Sequence, residues 1–549
     1  MNLAALFAKL RQRKNTPERI QQRQAKRRKR YTHALEQFLD GHQPAVRLGG
    51  VYTLADLADE WLTDTSLPEQ VRREEAQTII DALTDCIRTP YPLAQKRQVL
   101  ESDEATEGYE GNFARDQVAL REEQLVRRTV FMELSRRLAA AESSKAGHKK
   151  SQHTVPSLSP TWSDLRFDFS GAPIFYPLRQ LHFQNADFAS ATFYGPADFF
   201  GATFHGDTSF SAAQLTADAS FQGANFSDWV GFSAAHFAGA AEFSGAQFAD
   251  AASFATVTFT GETDFSDAVF SAAADFAVSA FKSDANFSHL NTAGIASFAA
   301  VTFDGKAVFT ASTFHDEVHF AASVFNRPAV FSKSLFGGVA RFAGVVTKQS
   351  AMFSNVRFAS AADFSGASFT QYEDFGGARF DGDATFSRAS FIALPRTRYE
   401  MDFPQGANFG NATFAQDADF SKATFTAHVG FYKATFARAV SFNGASFEGA
   451  YFADATFGQR ADFRQTSFAY VEPSFEALER RLRRARFSAQ ADPQDYLFEA
   501  RPESPHGFSC GEAELLNRTF ILPVGAVLYD PDSWDEGKQE YTRISEPAQ

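Results

Sequence analysis

Phenylalanine falls at alternating steps of five and six residues through the middle of this chain. From Phe193 the series runs Phe199, Phe204, Phe210, Phe221, Phe226 and Phe232, with Leu215 in the slot between Phe210 and Phe221. It continues to Phe342 and from Phe353 to Phe391, with Thr292 and Thr347 standing where rings are due. Two residues before each ring stands a small side chain, as at Ala191, Ala197, Ala202, Ala224 and Ala235; Glu373 is the charged exception. A separation of two places both side chains on one face of an extended strand. A helix is excluded, because rings five and six apart would circle it rather than form a stripe. Gly, Ser, Asn and Asp gather between the halves, where corners belong. The repeat is therefore eleven residues, made of two short strands and two corners.

The segments ADFASATF (186–193), ANFSDWVGFSAAHF (224–237), AEFSGAQF (241–248), ADFSGASF (362–369) and ADFSKATF (418–425) resemble the bacterial pentapeptide-repeat family. The resemblance implies a mainly β fold, a right-handed quadrilateral β-helix or β-solenoid. Each coil has four faces, with a large apolar residue central on each and a small one two positions earlier. This chain adds a residue in alternate repeats, so four faces need two of the eleven-residue units, the reading we favour. A flattened coil of one unit, with two facing Phe ladders, also fits the spacing. Two steps break the pattern. Phe391 to Phe403 is one residue longer than a unit, reading as a bulge or small loop carrying Pro395, Arg396, Arg398, Tyr399 and Met401. Phe447 to Phe452 is five where six is due.

The flanks read differently. Residues 1–142 predict an N-terminal α-helical module, with Gly49 and Gly50 marking a kink or a close helix crossing. Its start is basic: Lys9, Arg11, Arg13, Lys14, Arg19, Arg23, Lys26, Arg27, Arg28, Lys29 and Arg30 stand against one acid, Glu18. Such a stretch suits anionic lipid headgroups, with Leu3, Leu6, Phe7 and Leu10 inserting. It also suits nucleic acid phosphates, or is simply a solvated helix. No aromatic lies between residues 8 and 30, which disfavours single-stranded nucleic acid. Residues 30–61 resemble the helical module that precedes the repeats in a membrane-tethered subgroup of the family. Residues 143–160 read as a polar linker and 161–182 as the N-terminal cap or first coil of the solenoid, which spans 183–468. Residues 473–487 (PSFEALERRLRRARF) read as an amphipathic C-terminal capping helix, and the tail to 549 as containing a short strand pair.

Charge and chemistry narrow the function. The formal net charge is −13. Residues 183–281 hold eleven Asp and Glu and no Lys or Arg, whereas 282–468 hold sixteen of each sign. On a coil of two units Asp198, Glu242 and Asp264 share a column, with Ser220 between the first two. With Asp275 they make a candidate acidic interaction face, or a solvated one. Some pentapeptide-repeat proteins resemble B-form DNA in size and charge and compete with DNA for DNA gyrase. The charge-balanced remainder of the solenoid argues against that role here. Two distant cysteines, Cys86 and Cys510, exclude a disulfide scaffold and fit a reducing compartment. No apolar run spans a membrane and no signal-peptide core follows the basic start. His315 and His319 spell HDEVH, which lacks the metalloprotease order, and they fall on a strand and corner. No acid–base or nucleophile constellation stands out. The expectation is a noncatalytic cytoplasmic scaffold without metal or cofactor, binding an unidentified protein and touching the inner membrane face through residues 1–30. The alternative is a DNA-mimic modulator of DNA gyrase or another DNA-binding enzyme.

Overall fold

A computed structural model describes residues 16–41, 43–105, 107–146, 162–392, 406–477 and 483–549. The chain forms two compact units, residues 1–250 and 251–549.

The first unit begins with helices α1 (Pro17–Phe38), α2 (Pro44–Leu62), α3 (Glu69–Arg88), α4 (Arg97–Leu100) and α5 (Phe113–Ala146). Proline opens α1 and α2, where its missing N–H is no loss. Gly50 marks a crossing: a Cβ there would lie 2.6 Å from the Phe38 nitrogen and 2.8 Å from the Ala34 carbonyl. Short strands follow. Phe226 stands opposite Phe204 on one side and Phe248 on the other, in parallel register and offset by two eleven-residue repeats. Two repeats therefore make one coil with four walls, and the coil of a single repeat is excluded.

Corner chemistry explains the alternation of steps. Ser190, Gly201, Ala212, Gly223, Ala234 and Gly245 take positive φ at eleven-residue intervals. In the same corners the N–H of Ala191 donates to the Phe188 carbonyl at 3.0 Å, and that of Ala213 to Phe210 at 3.0 Å. That is a type II turn, which needs a left-handed third residue. The five-residue step contains this turn; the six-residue step turns its corner with the extra residue. Rings of one wall stack along the solenoid, Phe204 on Phe226 at 4.6 Å, Phe199 on Phe221 at 4.9 Å and Phe210 on Phe232 at 4.9 Å. Rings of different walls meet edge to face, as Phe199 and Phe210 do at 5.5 Å. Phe193 lies between Ile174 and Leu215 in its ladder. Both aromatic geometries are the favourable ones.

Strands Phe167–Asp168, Pro173–Ile174 and His182–Gln184 make the first coil, so residues 161–182 contribute a coil, and the helices cover it. Phe131 of α5 sits against the open aromatic column, 4.6 Å from Phe169. Helix side chains also satisfy the exposed strand edge. Gln77 donates to the Arg166 carbonyl at 2.9 Å, Arg88 to Ser170 at 3.1 Å and Gln124 to Phe175 at 2.8 Å. The hydroxyl of Ser135 accepts from the His182 N–H at 2.8 Å. An uncovered edge of this kind would template pairing with another chain.

The second unit repeats the same coil, with Phe281 opposite Phe259 and Phe303. Thr292 and Thr347 occupy ring slots, buried, with no hydrogen-bond partner for either hydroxyl. The insertion is larger than the sequence suggested. Phe380 stands opposite Phe414 rather than a residue two repeats on, so this coil carries twelve extra residues instead of one. Phe409 takes a ladder place, stacked on Phe375 at 4.9 Å and on Phe431 at 5.1 Å. Residues 393–405, including Pro395, Arg396, Arg398, Tyr399 and Met401, lie outside the described residues. The later slip is a real shortening: Thr435 faces Thr456, one position short of two repeats, beside a bulge between Phe425 and His428.

The capping helix expected over 473–487 is corrected. Glu476–Ala477 pairs antiparallel with Arg483–Arg484, and Arg486–Ser488 joins the coil as a parallel strand. Aromatic stacking competes with helix formation and wins. Phe475 stacks on Phe452 at 5.0 Å, Phe487 on Phe457 at 4.6 Å and Phe498 on Phe463 at 5.4 Å. Val527–Tyr529 adds a further strand to the same ladder. Antiparallel hairpins, Cys510–Leu515 with Arg518–Pro523 and Trp534–Asp535 with Glu540–Tyr541, follow. Antiparallel chain at the last coil ends parallel growth of the walls.

One consequence concerns the turn. Val278 holds φ 62° at the corner position where glycine stands elsewhere, and its side chain is 61% exposed. A β-branched residue is strained there and gains little from packing. Val278→Gly is expected to raise stability by about 1 kcal/mol, read as a higher urea midpoint with unchanged slope.

Candidate interaction surfaces

The basic face of α1 is largely committed to the fold. Arg27 pairs with Asp64 at 2.7 Å and with Glu60 at 3.5 Å, and its guanidinium lies 5.0 Å from the Trp61 ring centre. Arg28 pairs with Glu75 at 2.5 Å, Arg30 with Glu60 at 2.7 Å, and Arg23 donates to the Ser66 hydroxyl at 2.9 Å. These arginines join α1 to α2, α3 and the turn between them. They were candidates for an anionic surface because they cluster in sequence; their acidic partners come from far along the chain. Lys26 and Lys29 remain exposed. Lys9, Arg11, Arg13, Lys14 and the apolar Leu3, Leu6, Phe7 and Leu10 lie outside the described residues.

Beneath the helices a buried ionic cluster joins the module to the first coil. Arg127 on α5 is 2% exposed and pairs with Glu123 at 2.6 Å. It also donates to the carbonyls of Ile87 at 2.7 Å and Thr89 at 2.9 Å, filling the orphan acceptors at the end of α3. Arg47 of α2 meets the same carboxylate at 2.5 Å. Burial pushes the Glu123 carboxyl up, but the bonds from Arg47 and Arg127 hold it below its ordinary value. Tyr91 and Phe175 stack at 5.3 Å beside the Arg127 guanidinium. Every charge here has a partner, so the cluster holds structure together and offers no free acid, base or nucleophile. Cys86 beside it is buried, and desolvation raises its thiol.

The acidic side chains divide between walls. In the first unit Asp198 and Glu242 flank Ser220 in one column. In the second, Asp264 continues into Asn286, whereas Asp275 lies between Ser253 and Ser297 in a different strand series. Asp275 is thus not on the wall of Asp264, because its position belongs to the other half of the coil. Ser220 separates Asp198 from Glu242, and Ser253 and Ser297 flank Asp275. The aspartates also work locally. Asp198 accepts from the Phe200 N–H at 3.1 Å, Asp264 from Ser266 at 2.8 Å and Asp275 from Ala277 at 2.9 Å. Asp198 also faces Arg179 at 3.3 Å. Spacing alone would have shown this: Asp directly before the ring reaches the N–H two residues on, an Asx turn at the corner.

A groove of about 480 Å³ runs along one wall of the second unit beside Asp363, Asp383, Asp417, Asp419, Arg460 and Asp462. Its carboxylates follow the same rule. Asp363 and Asp419 accept from Ser365 and Ser421, Asp383 from the Asp417 N–H, and Asp462 from Arg464. Sequence reasoning missed the groove, because it is formed by residues a full coil or more apart. Val318 is buried and His319 lies 3.4 Å from Glu317. Among the described residues no group of three or more His, Cys, Asp and Glu is placed to hold a metal ion, and no helix is long and apolar enough to cross a membrane. Cys510 is exposed and begins a hairpin strand.

Glu373 is the one charged residue in the small-residue column. It stands opposite Ala351 and is fully buried, with neither carboxylate oxygen bonded. Desolvation pushes its carboxyl up to about 8. It lies where its strand series gives way to the single bridges Asp374 to Asn408 and Asn408 to Gly430.

A model of the pentapeptide repeats, in nine copies, matches residues 188–236 and 425–467. Among curated proteins and among solved structures no match to the chain was found. The matched segments lie within the four-walled parallel coils, with their stacked rings and small-residue columns. The chain thus carries pentapeptide repeats, built into a parallel-strand β-solenoid.

Proposed function

We propose that the protein is a noncatalytic interaction scaffold whose solenoid walls present the binding surface. The repeat fold is consistent with a noncatalytic interaction protein. The observation that carries the reading is the division of labour in each coil. Rings and small residues fill the inside, corner groups bond one another, and the alternate outward positions are left to vary on a rigid wall. Those positions are unevenly charged, acidic without any cation over 183–281 and paired beyond it, as in Lys282 with Asp304 at 2.9 Å and Arg357 with Asp381 at 2.7 Å. This stretch, without a lysine or arginine of its own, is therefore the part of the wall best suited to a cationic partner surface.

Crosslinked affinity capture from the native cells tests this, comparing the full chain with the double variant Asp198→Lys, Glu242→Lys. A reproducible partner lost by the variant supports the wall as the binding surface. A partner held equally by both, or no partner for either, counts against it. The acidic stretch also motivates the DNA-mimic alternative, which predicts inhibition of DNA gyrase supercoiling at micromolar protein; unchanged supercoiling removes it.

A further inference from the structure

Helix α5 buries one face on the other helices and the first coil and, among the described residues, leaves a line on the opposite face uncovered. Along that face Val118, Leu125 and Met132 are 53, 52 and 51% exposed. They recur every seven residues, so on a helix of 3.6 residues per turn they lie within about 40° of one another, over roughly 21 Å. Arg121 and Arg128 run down one side of this line, and Arg115 and Glu122 stand on the other, all exposed. Arg136 differs, being paired with Glu133 at 3.0 Å. The stripe is thus one apolar side chain per heptad, with arginine three residues on from the first two and a net cationic flank, a narrow apolar seam that a helix with apolar and acidic residues can cover.

Charge decides which partner. A second copy of this face would set arginine against arginine along the Arg121 and Arg128 side. A bilayer would receive three separated aliphatic side chains and no aromatic anchor, a weak insertion. A nucleic acid would leave the seam in contact with polar backbone. An acidic helix satisfies both features at once, apolar residues along the seam and glutamates opposite Arg121 and Arg128.

We propose that the exposed face of α5 docks an acidic amphipathic helix through Val118, Leu125 and Met132, with Arg121 and Arg128 selecting its charge. The site is on the helices and does not rest on the wall reading above.

The test uses the full chain and a labelled synthetic peptide of three heptads, leucine at the seam and glutamate at every flanking position, so that it repels itself. Fluorescence anisotropy is expected to give a Kd of about 10 μM, weakened tenfold or more by Leu125→Glu and by the pair Arg121→Glu, Arg128→Glu. The same peptide with lysine at the flanks is expected not to bind. Leu125 is half exposed, so circular dichroism should show the variants folded. Failure of the acidic peptide to bind, or equal binding of the lysine peptide, overturns the proposal. So does Leu125-dependent pelleting with phosphatidylserine vesicles without peptide binding, which would assign the face to lipid. Leu125-dependent self-association in sedimentation, again without peptide binding, overturns it too and would assign the face to a second copy. None of these outcomes bears on the double wall variant.

Discussion

Glu373→Ala is expected to stabilise the protein, and to do so more at pH 9 than at pH 5. The side chain occupies a column whose rule is a small residue, and Ala351 directly opposite shows that alanine fits. Its carboxyl rises from an ordinary 4.5 to about 8 through desolvation. A raised acid favours the folded protein when protonated. Below pH 4.5 both states carry the proton and ionisation adds no penalty. As pH climbs from 4.5 toward 8 the unfolded chain ionises first, so wild-type stability falls, levelling off above 8. A shift of this size corresponds to something on the order of 5 kcal/mol at the upper plateau. Removing an unbonded buried carboxyl adds about 1–3 kcal/mol at any pH. Urea unfolding of wild type and variant at the two pH values measures both parts. Glu373→Gln separates them: it should abolish the pH-dependent part while keeping the unbonded polar group. An equal gain from alanine at both pH values would show that water reaches the carboxyl.

Arg127→Ala should cost about 3–5 kcal/mol, the usual penalty for stranding a buried charge. The substitution leaves Glu123 with Arg47 alone and uncovers the carbonyls of Ile87 and Thr89 at the end of α3. It also removes the cation beside Phe175 of the first coil. The loss should therefore appear as release of the helices from the solenoid edge, seen as faster proteolysis between residues 17 and 146 with the coils intact. Lys26→Ala, on an exposed and unpaired lysine, is the control and should change stability by less than about 0.5 kcal/mol. The depressed Glu123 carboxyl gives the cluster a pH signature of the opposite sign to Glu373. Its stability is present above the ordinary carboxylate range and lost as pH falls through the lowered value. If Arg127→Ala left proteolysis of the helices unchanged, the cluster would not be what fastens them.

Much of the coil was readable because its determinants are local and periodic. A ring, a small residue two before it and a turn residue two after it define one wall within six residues, and repetition makes the pattern visible without any distant contact. The same logic explains the failures. Phe391 to Phe403 is nearly the right spacing, and nothing local gives the length of an insertion; only the partner at Phe380 shows that Phe414 is next. Residues 473–487 have a helical distribution of leucine and arginine, but Phe475 and Phe487 are worth more stacked on Phe452 and Phe457. Asp275 looked like part of the face of Asp264 because the eleven-residue repeat hides which wall each half belongs to.

The candidate surfaces divide in the same way. The strand period, the identity of the inward columns, the chemistry of the corners and the uneven charge of the walls were all legible in the order of residues. All of these depend on residues that touch their near neighbours or their equivalents one coil away. Which charges are free depends on folding. Arg27, Arg28 and Arg30 read as a solvated cationic run until Glu60, Asp64 and Glu75 are brought against them. Val118, Leu125 and Met132 stay exposed because α5 turns its other face inward. Charge and apolar area act through space rather than along the chain, so their availability is a property of the folded surface.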